Sequence, residues 1–201
     1  MCIAVVKRPR INALVRRVQT CQKCSRLKDR SAVLSVANGS LSSKVMFIAE
    51  APGRLGADRT CIPLSGDQTG ANFDERLKVA QLHRSAIFIT NAVLRNPRDD
   101  LGHNDSPTPE EVSNCSEHLA ETLNIVQSKI VVTLGRKALD AVGMIAPHNA
   151  QLARDVGKPS PWKGRILIPL YHPSPQARRH RSPEQQKEDF RQLGEYIRRS
   201  L

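Results

Sequence analysis

A chain of 201 residues with 39% hydrophobic residues can bury a full core, so no disulfide framework is required for folding. Thirty-one Lys and Arg against nineteen Asp and Glu give a net charge of +12 and a pI near 10.0, which points away from a basic partner; a solvated basic surface or a nucleic-acid partner both fit. The apolar run from Cys2 to Val6 is too short for a signal peptide or a membrane span and ends at Lys7. The expected location is therefore cytoplasmic, nucleoid-associated in a bacterium, with no membrane partner.

Ile11, Leu14, Val15 and Val18 recur at helical spacing and predict a helix over residues 10–20, running into Cys21. Val45-Met-Phe-Ile-Ala49 reads as a buried strand that enters a tight loop at Pro52-Gly53. Residues 71–82 read as helix, and Ile87-Phe-Ile-Thr90 as a second strand ending at Asn91. Thr108, Pro109 and Glu111 spell a capping box with proline at the first helical position, and Val112, Cys115, Leu119 and Val126 mark one face of that helix. Ile130–Leu134 is the third strand, which Gly135 turns into a helix over 136–142. Residues 143–164 read as loop. Arg165–Leu170 is the fourth strand, followed at once by Tyr171-His-Pro-Ser-Pro175. Ser182, Pro183 and Gln185 repeat the capping logic before a last helix with Phe190, Leu193 and Ile197 inward.

β-branched runs alternating with capped helices predict an α/β fold: a single domain over residues 1–201, with a central four-stranded, mainly parallel sheet flanked by helices on both faces. Ligands of such sheets bind beyond the carboxyl ends of the strands. Glu50, Asn91, Gly135 and His172 all fall just beyond or at such ends, so four polar positions converge on one rim. Cys21-Gln-Lys-Cys24 in a reducing compartment suggests metal or redox chemistry rather than a disulfide.

Several of these segments, in order, carry a resemblance. Residues 46–53, Met-Phe-Ile-Ala-Glu-Ala-Pro-Gly, are similar to the first active-site motif of the uracil-DNA glycosylase superfamily, and its iron–sulfur branch, family four, is the one they resemble most. Ile89-Thr-Asn91 resembles the second motif, Thr108 to Cys115 and Ile130 to Gly135 match in kind and order, and His172-Pro-Ser-Pro175 resembles the last. The resemblance implies an N-glycosyl hydrolase of base excision repair. Such an enzyme flips uracil out of DNA and leaves an abasic site, so the implied partner is uracil-containing DNA; we further expect a monomer.

For individual residues the resemblance implies three catalytic roles. Asn91 offers a donor and an acceptor to the N3–H and O4 edge of uracil, where cytosine would leave buried groups unpaired. Standing alone it would read as the cap of a turn. His172 would stabilise charge developing on uracil O2. Glu50 would orient or activate water, or else only brace its loop through backbone N–H groups; Ala51 sits where another branch carries an Asp base. Ala51, Pro52, Gly53 and Ser174 complete the expected base pocket. Leu64 stands where the family has an aromatic residue and would give a wall without stacking; Phe73 could substitute but reads better as core. Gly135, Arg136, Gln176, Arg178 and Arg179 are the expected DNA-binding residues, against the plainer view of the arginines as a solvated face.

Cys21, Cys24 and Cys115 match three of the four thiolates that hold the family's [4Fe–4S] cluster, whereas Arg95 occupies the position of the remaining one. His103 is the first choice for a fourth ligand and Cys61 the second. Zinc in a Cys₃His set, or loss of the metal altogether, are the other readings. Two further functions stay open: a catalytically silent DNA-binding protein, suggested by Leu64 and Arg95, and a protein trapped covalently on uracil DNA through His172 or a neighbour.

Overall fold

The computed structural model describes the backbone of residues 3–201 and side chains from Lys7 onward. Met1, Cys2 and the side chains of residues 3–6 lie outside the described residues, and with them the apolar run read at the N-terminus.

Five strands, β1 (Val45–Ala49), β2 (Phe88–Asn91), β3 (Ile130–Leu134), β4 (Ser160–Trp162) and β5 (Arg165–Leu170), form one sheet in the order β2-β1-β3-β5-β4. All neighbouring pairs are parallel except β4–β5. The helices are α1 (Ile3–Gln19), α2 (Ala57–Thr60), α3 (Gln68–Ala80), α4 (Pro109–Val126), α5 (Arg136–Ile145), α6 (Leu152–Asp155) and α7 (Pro183–Ser200).

Both faces of the sheet are covered. Met46, Ile48, Phe88, Val131 and Leu167 pack under α1, α4 and α5, while Phe47, Ala49, Ile89, Val132 and Ile168 pack under α3 and α7. Successive side chains of a strand point to opposite faces, so a strand buried on both sides has no polar positions to spare, and every residue of β1 and β3 is buried. On the second face Phe47, Phe73 and Phe190 form an aromatic cluster with centroids 5.3–6.2 Å apart. There α3 and α7 approach so closely that a Cβ on Gly194 would lie 2.2 Å from the Ala80 carbonyl oxygen.

The capping boxes form as the sequence predicts: Thr108 accepts from the Glu111 N–H at 3.2 Å, and Ser182 from the Gln185 N–H at 3.2 Å. The sheet has five strands rather than four. The added strand, β4, lies in the stretch 143–164 expected as loop, which also holds α6. Lys163 and Gly164 have φ of +47° and +70°, the twist that a two-residue hairpin needs, and they fold Ser160–Trp162 back onto β5. Pro161 cannot donate to a ladder, which suits an edge strand and hides the strand from a propensity reading. Trp162 is buried and donates its indole N–H to Ala146 O at 2.9 Å. Among the described residues, no helix is long and apolar enough to cross a membrane.

Candidate active site

Because β1, β2, β3 and β5 run in parallel, their carboxyl ends share one rim, and a cavity of about 540 Å³ opens there. Glu50, Ala51, Pro52 and Gly53 line it from the end of β1, Leu64 from the following loop, and His172 and Ser174 from the end of β5. A second hollow of about 570 Å³, between Lys129, Trp162 and Arg165, lies toward the amino ends of β3 and β5, away from these groups.

His172 is set by its neighbours. The Gly135 N–H donates to Leu170 O at 2.8 Å, tying the end of β3 to the end of β5. At φ +92°, Gly135 turns the chain directly beneath the histidine, where a Cβ would lie 3.4 Å from His172 Cβ. Asn72 of α3 holds the next residue by donating to Pro173 O at 2.8 Å. Burial lowers the His172 pKa to about 4, opposed by the charge of Asp67, so the imidazole is neutral at physiological pH. A neutral imidazole can donate one N–H and accept at its other nitrogen.

Asn91 ends β2 opposite Ala49 of β1. It is 1% exposed and not among the residues that line the cavity, and its side-chain amide nitrogen has no partner among the described residues. An unmatched buried donor costs roughly 1–3 kcal/mol. The backbone beyond it is fastened to the end of β1, Ala92 N–H to Ala49 O at 2.8 Å and Val93 N–H to Glu50 O at 3.0 Å, so the segments that carry Asn91 and Glu50 stay joined past the strands. Burial raises the Glu50 pKa above the ordinary carboxylate value and Asp105 adds to it, while the Ser106 hydroxyl and Lys137 pull it down.

Leu64 is buried and has φ of +50°, a left-handed conformation that costs a non-glycine residue about 1–2 kcal/mol. Arg84 holds it there. The guanidinium donates to Pro63 O at 3.0 Å and to Leu64 O, pairs with Asp74 at 2.6 Å and lies over the Phe73 ring. Phe73 itself is fully buried in the core, which removes it as a base-stacking residue.

Two parts of the wall escaped the sequence reading. Asp67 caps α3 by accepting from the Gly70 N–H at 2.9 Å and faces the cavity. Asp67-Gln-Thr-Gly70 is a capping signature that could have started the helix at Gln68 instead of residue 71. The segment 96–106 is the other. Asn96 donates to Pro52 O at 2.6 Å and to Asn104 Oδ1 at 2.9 Å, and Asn104 Oδ1 also accepts from the Arg54 N–H at 2.8 Å. This small polar network lays Asn104, Asp105 and Ser106 along the cavity. No periodicity announces a loop closed by side-chain amides.

After Ser174 a short 3₁₀ turn, Pro175–Arg179, leaves the rim. Gln176 lies at the cavity mouth, and Arg178 and Arg179 are exposed beside it. The turn is anchored behind by Arg181, which grips Asp189 of α7 at 2.5 and 3.0 Å. Arg136 is exposed next to Gly135 and paired only loosely with Asp140, at 3.7 Å.

Cys21, Cys24 and Cys115 border one small cavity together with Arg95. Burial pushes the Cys115 thiol up to about 11. His103 does not join them: it sits in the exposed turn 98–104, with Nδ1 3.5 Å from Asp99. Cys61 is exposed at the end of α2, apart from that cavity. Among the described residues no group of three or more His, Cys, Asp or Glu is arranged to hold a metal ion. The side chains present therefore do not fit the four-ligand set that the resemblance implies.

A doubly covered parallel sheet with an amide, a carboxylate and a neutral imidazole at its carboxyl rim defines the class of α/β proteins that bind ligands at that rim, and comparison with known proteins narrows it. Residues 36–197 match the family described as the uracil DNA glycosylase superfamily. The Type-4 uracil-DNA glycosylase of Archaeoglobus fulgidus is 28% identical over 190 residues, covering 92% of each chain. That of Thermotoga maritima is 30% identical over 159 residues, covering 79% of this chain and 78% of the relative. A Type-5 uracil-DNA glycosylase of Pyrobaculum aerophilum is 29% identical, covering 87% and 88%. The chain belongs to the uracil DNA glycosylase superfamily and is an enzyme of that class.

Proposed function

We propose that the chain excises uracil from DNA by hydrolysing the N-glycosidic bond of an extruded nucleotide. The observation that carries this reading is the buried amide nitrogen of Asn91, without a partner among the described residues, at the end of β2 on the rim where Glu50 and a neutral His172 line the cavity. A donor kept dry and unmatched in the free protein is suited to an acceptor that arrives from outside, and uracil O4 is such an acceptor. Cytosine would bring an amino group to the same place and leave two donors facing each other.

Extrusion of the base costs a few kcal/mol, least where the pair is already weak. Bond cleavage then builds positive charge on the sugar and negative charge on uracil O2. His172, neutral and held by Gly135 and Pro173, donates to that oxygen without having to shed a proton first; fixed donors of this kind are commonly the largest catalytic contribution. Glu50, with its raised pKa, orients the attacking water and takes up its proton as the bond to the sugar forms. Ala51, Pro52, Gly53 and Ser174 shape the pocket, and Leu64 supplies an apolar wall in place of an aromatic stack. Gln176 fills the gap left in the duplex, with Arg178, Arg179, Arg136 and the Gly135 backbone against phosphates.

The test is a uracil-containing oligonucleotide, incubated with protein and then cleaved in hot alkali. Scission at the uracil is expected with wild type. In Asn91→Ala and His172→Ala the single-turnover rate is expected to fall by roughly 10²–10³ while circular dichroism stays unchanged. Absence of scission with wild type overturns the reading. A gel-stable adduct, or uracil-dependent binding with no product, assigns the chain to covalent trapping or silent binding instead.

A further inference from the structure

We propose that Arg95 fastens the Cys21–Cys24 segment to the core by hydrogen bonds alone, and that the three cysteines around it carry neither a [4Fe–4S] cluster nor a zinc ion. Arg95 follows β2 and is 7% exposed. Its guanidinium donates to four main-chain carbonyls: Val18 at 3.0 Å, Gln19 at 2.7 Å, Leu27 at 3.2 Å, and Lys28. The first two are among the last carbonyls of α1, where the helix dipole favours a cation. The other two belong to the turn just after Cys24. One planar cation thus fixes both flanks of Cys21-Gln-Lys-Cys24, the connection that a cluster bridging this motif to the chain after β2 would otherwise make.

A second arginine reinforces the tie. Arg26 grips Glu111 of α4 at 3.0 and 2.7 Å and Asp105 at 2.5 Å, so the segment is bound to α4 without help from the Cys115 sulfur. Space argues the same way. The cavity that the three thiols share is small, about 30 Å³, and Arg95 forms part of its wall where a fourth ligand would stand. An arginine has no lone pair to give a metal, and both terminal nitrogens of Arg95 are already committed to carbonyls. Neither His103 nor Cys61 stands at that cavity to complete a zinc set.

The experiment uses the full chain, prepared anaerobically and incubated with ferrous iron and sulfide, or with zinc. Iron, acid-labile sulfide and zinc are measured, and melting is followed with and without chelator. We expect no more metal than in a Cys21→Ser/Cys24→Ser/Cys115→Ser variant and no effect of chelator on wild-type melting. Arg95→Met should melt roughly 5–10 °C lower, through loss of several buried hydrogen bonds. Should that variant fail to fold, Arg95→Lys, which keeps the charge but fewer donors, is compared, and melting below wild type supports the tie. Stoichiometric iron with sulfide, or one zinc per chain, overturns the proposal. Wild-type melting in Arg95→Met, or in Arg95→Lys where the first cannot be made, overturns it equally.

Discussion

At the scale of single residues, the geometry of His172 has a consequence for stability that can be measured apart from catalysis. Its pKa is about 4 in the folded protein, against 6.5 for an unconstrained imidazole, so the unfolded chain binds the proton more tightly. Folding stability is therefore expected to decline as pH falls from 6.5 toward 4, by up to about 3 kcal/mol from this group, with no contribution above pH 6.5. The His172→Gln variant should lose most of that slope while matching wild type near pH 7.5. A smaller slope of the same sign should persist from His118, which burial also lowers. Urea denaturation at pH 4.5 and 7.5 measures both, and identical slopes in wild type and variant would show that His172 is not held neutral by its surroundings. The same residue illustrates what a sequence can and cannot convey. That His172 stands at a strand end was legible from Arg165–Leu170 before it; that it is neutral depends on its burial, which outweighs the opposing charge of Asp67 and is set by packing distant in sequence.

At the scale of elements, the strands and long helices were legible because their signals are local: buried β-branched runs, proline at the first helical position, and hydroxyl caps answered three residues later. What stayed hidden is held by contacts distant in sequence or by backbone geometry. Strand β4 depends on a positive φ at Lys163, and the 96–106 wall on amide bonds to Pro52 and Arg54. The pairing of α3 with α7 is of this second kind. Gly194 sits inside α7, where replacing glycine by alanine in an exposed helix would stabilise by roughly 1 kcal/mol. Here the added methyl would meet the Ala80 carbonyl at 2.2 Å, backbone that cannot swing aside like a side chain. We therefore expect Gly194→Ala to reverse the sign and destabilise by about 1–3 kcal/mol. Thermal melting decides between the two, since a melting temperature at or above wild type would mean that α7 slides without cost.

At the scale of the whole molecule, the net charge of +12 matters through where free cations lie relative to the cavity. Much of the basic surface is already spent in pairs, such as Arg26 with Glu111, Arg84 with Asp74 and Arg181 with Asp189. Arg178 and Arg179 are exposed on the turn that begins at the cavity with Pro175 and Gln176 and that Arg181 and Asn72 brace from behind. Each phosphate that a protein neutralises releases counterions and adds about 0.9 to the slope of log affinity against log salt. If the two arginines lie against phosphates, Arg178→Ala/Arg179→Ala should lower that slope by roughly 2 and weaken binding to uracil-containing and undamaged duplexes alike, because phosphate contacts position the protein without reading the base. Fluorescence anisotropy across a salt series measures the slope directly. Excision at saturating DNA should stay near wild type, since Asn91, His172 and Glu50 are untouched, so the loss falls on KM rather than on the chemical step. An unchanged slope would mean that the duplex approaches the rim from another side, with the arginines facing only solvent.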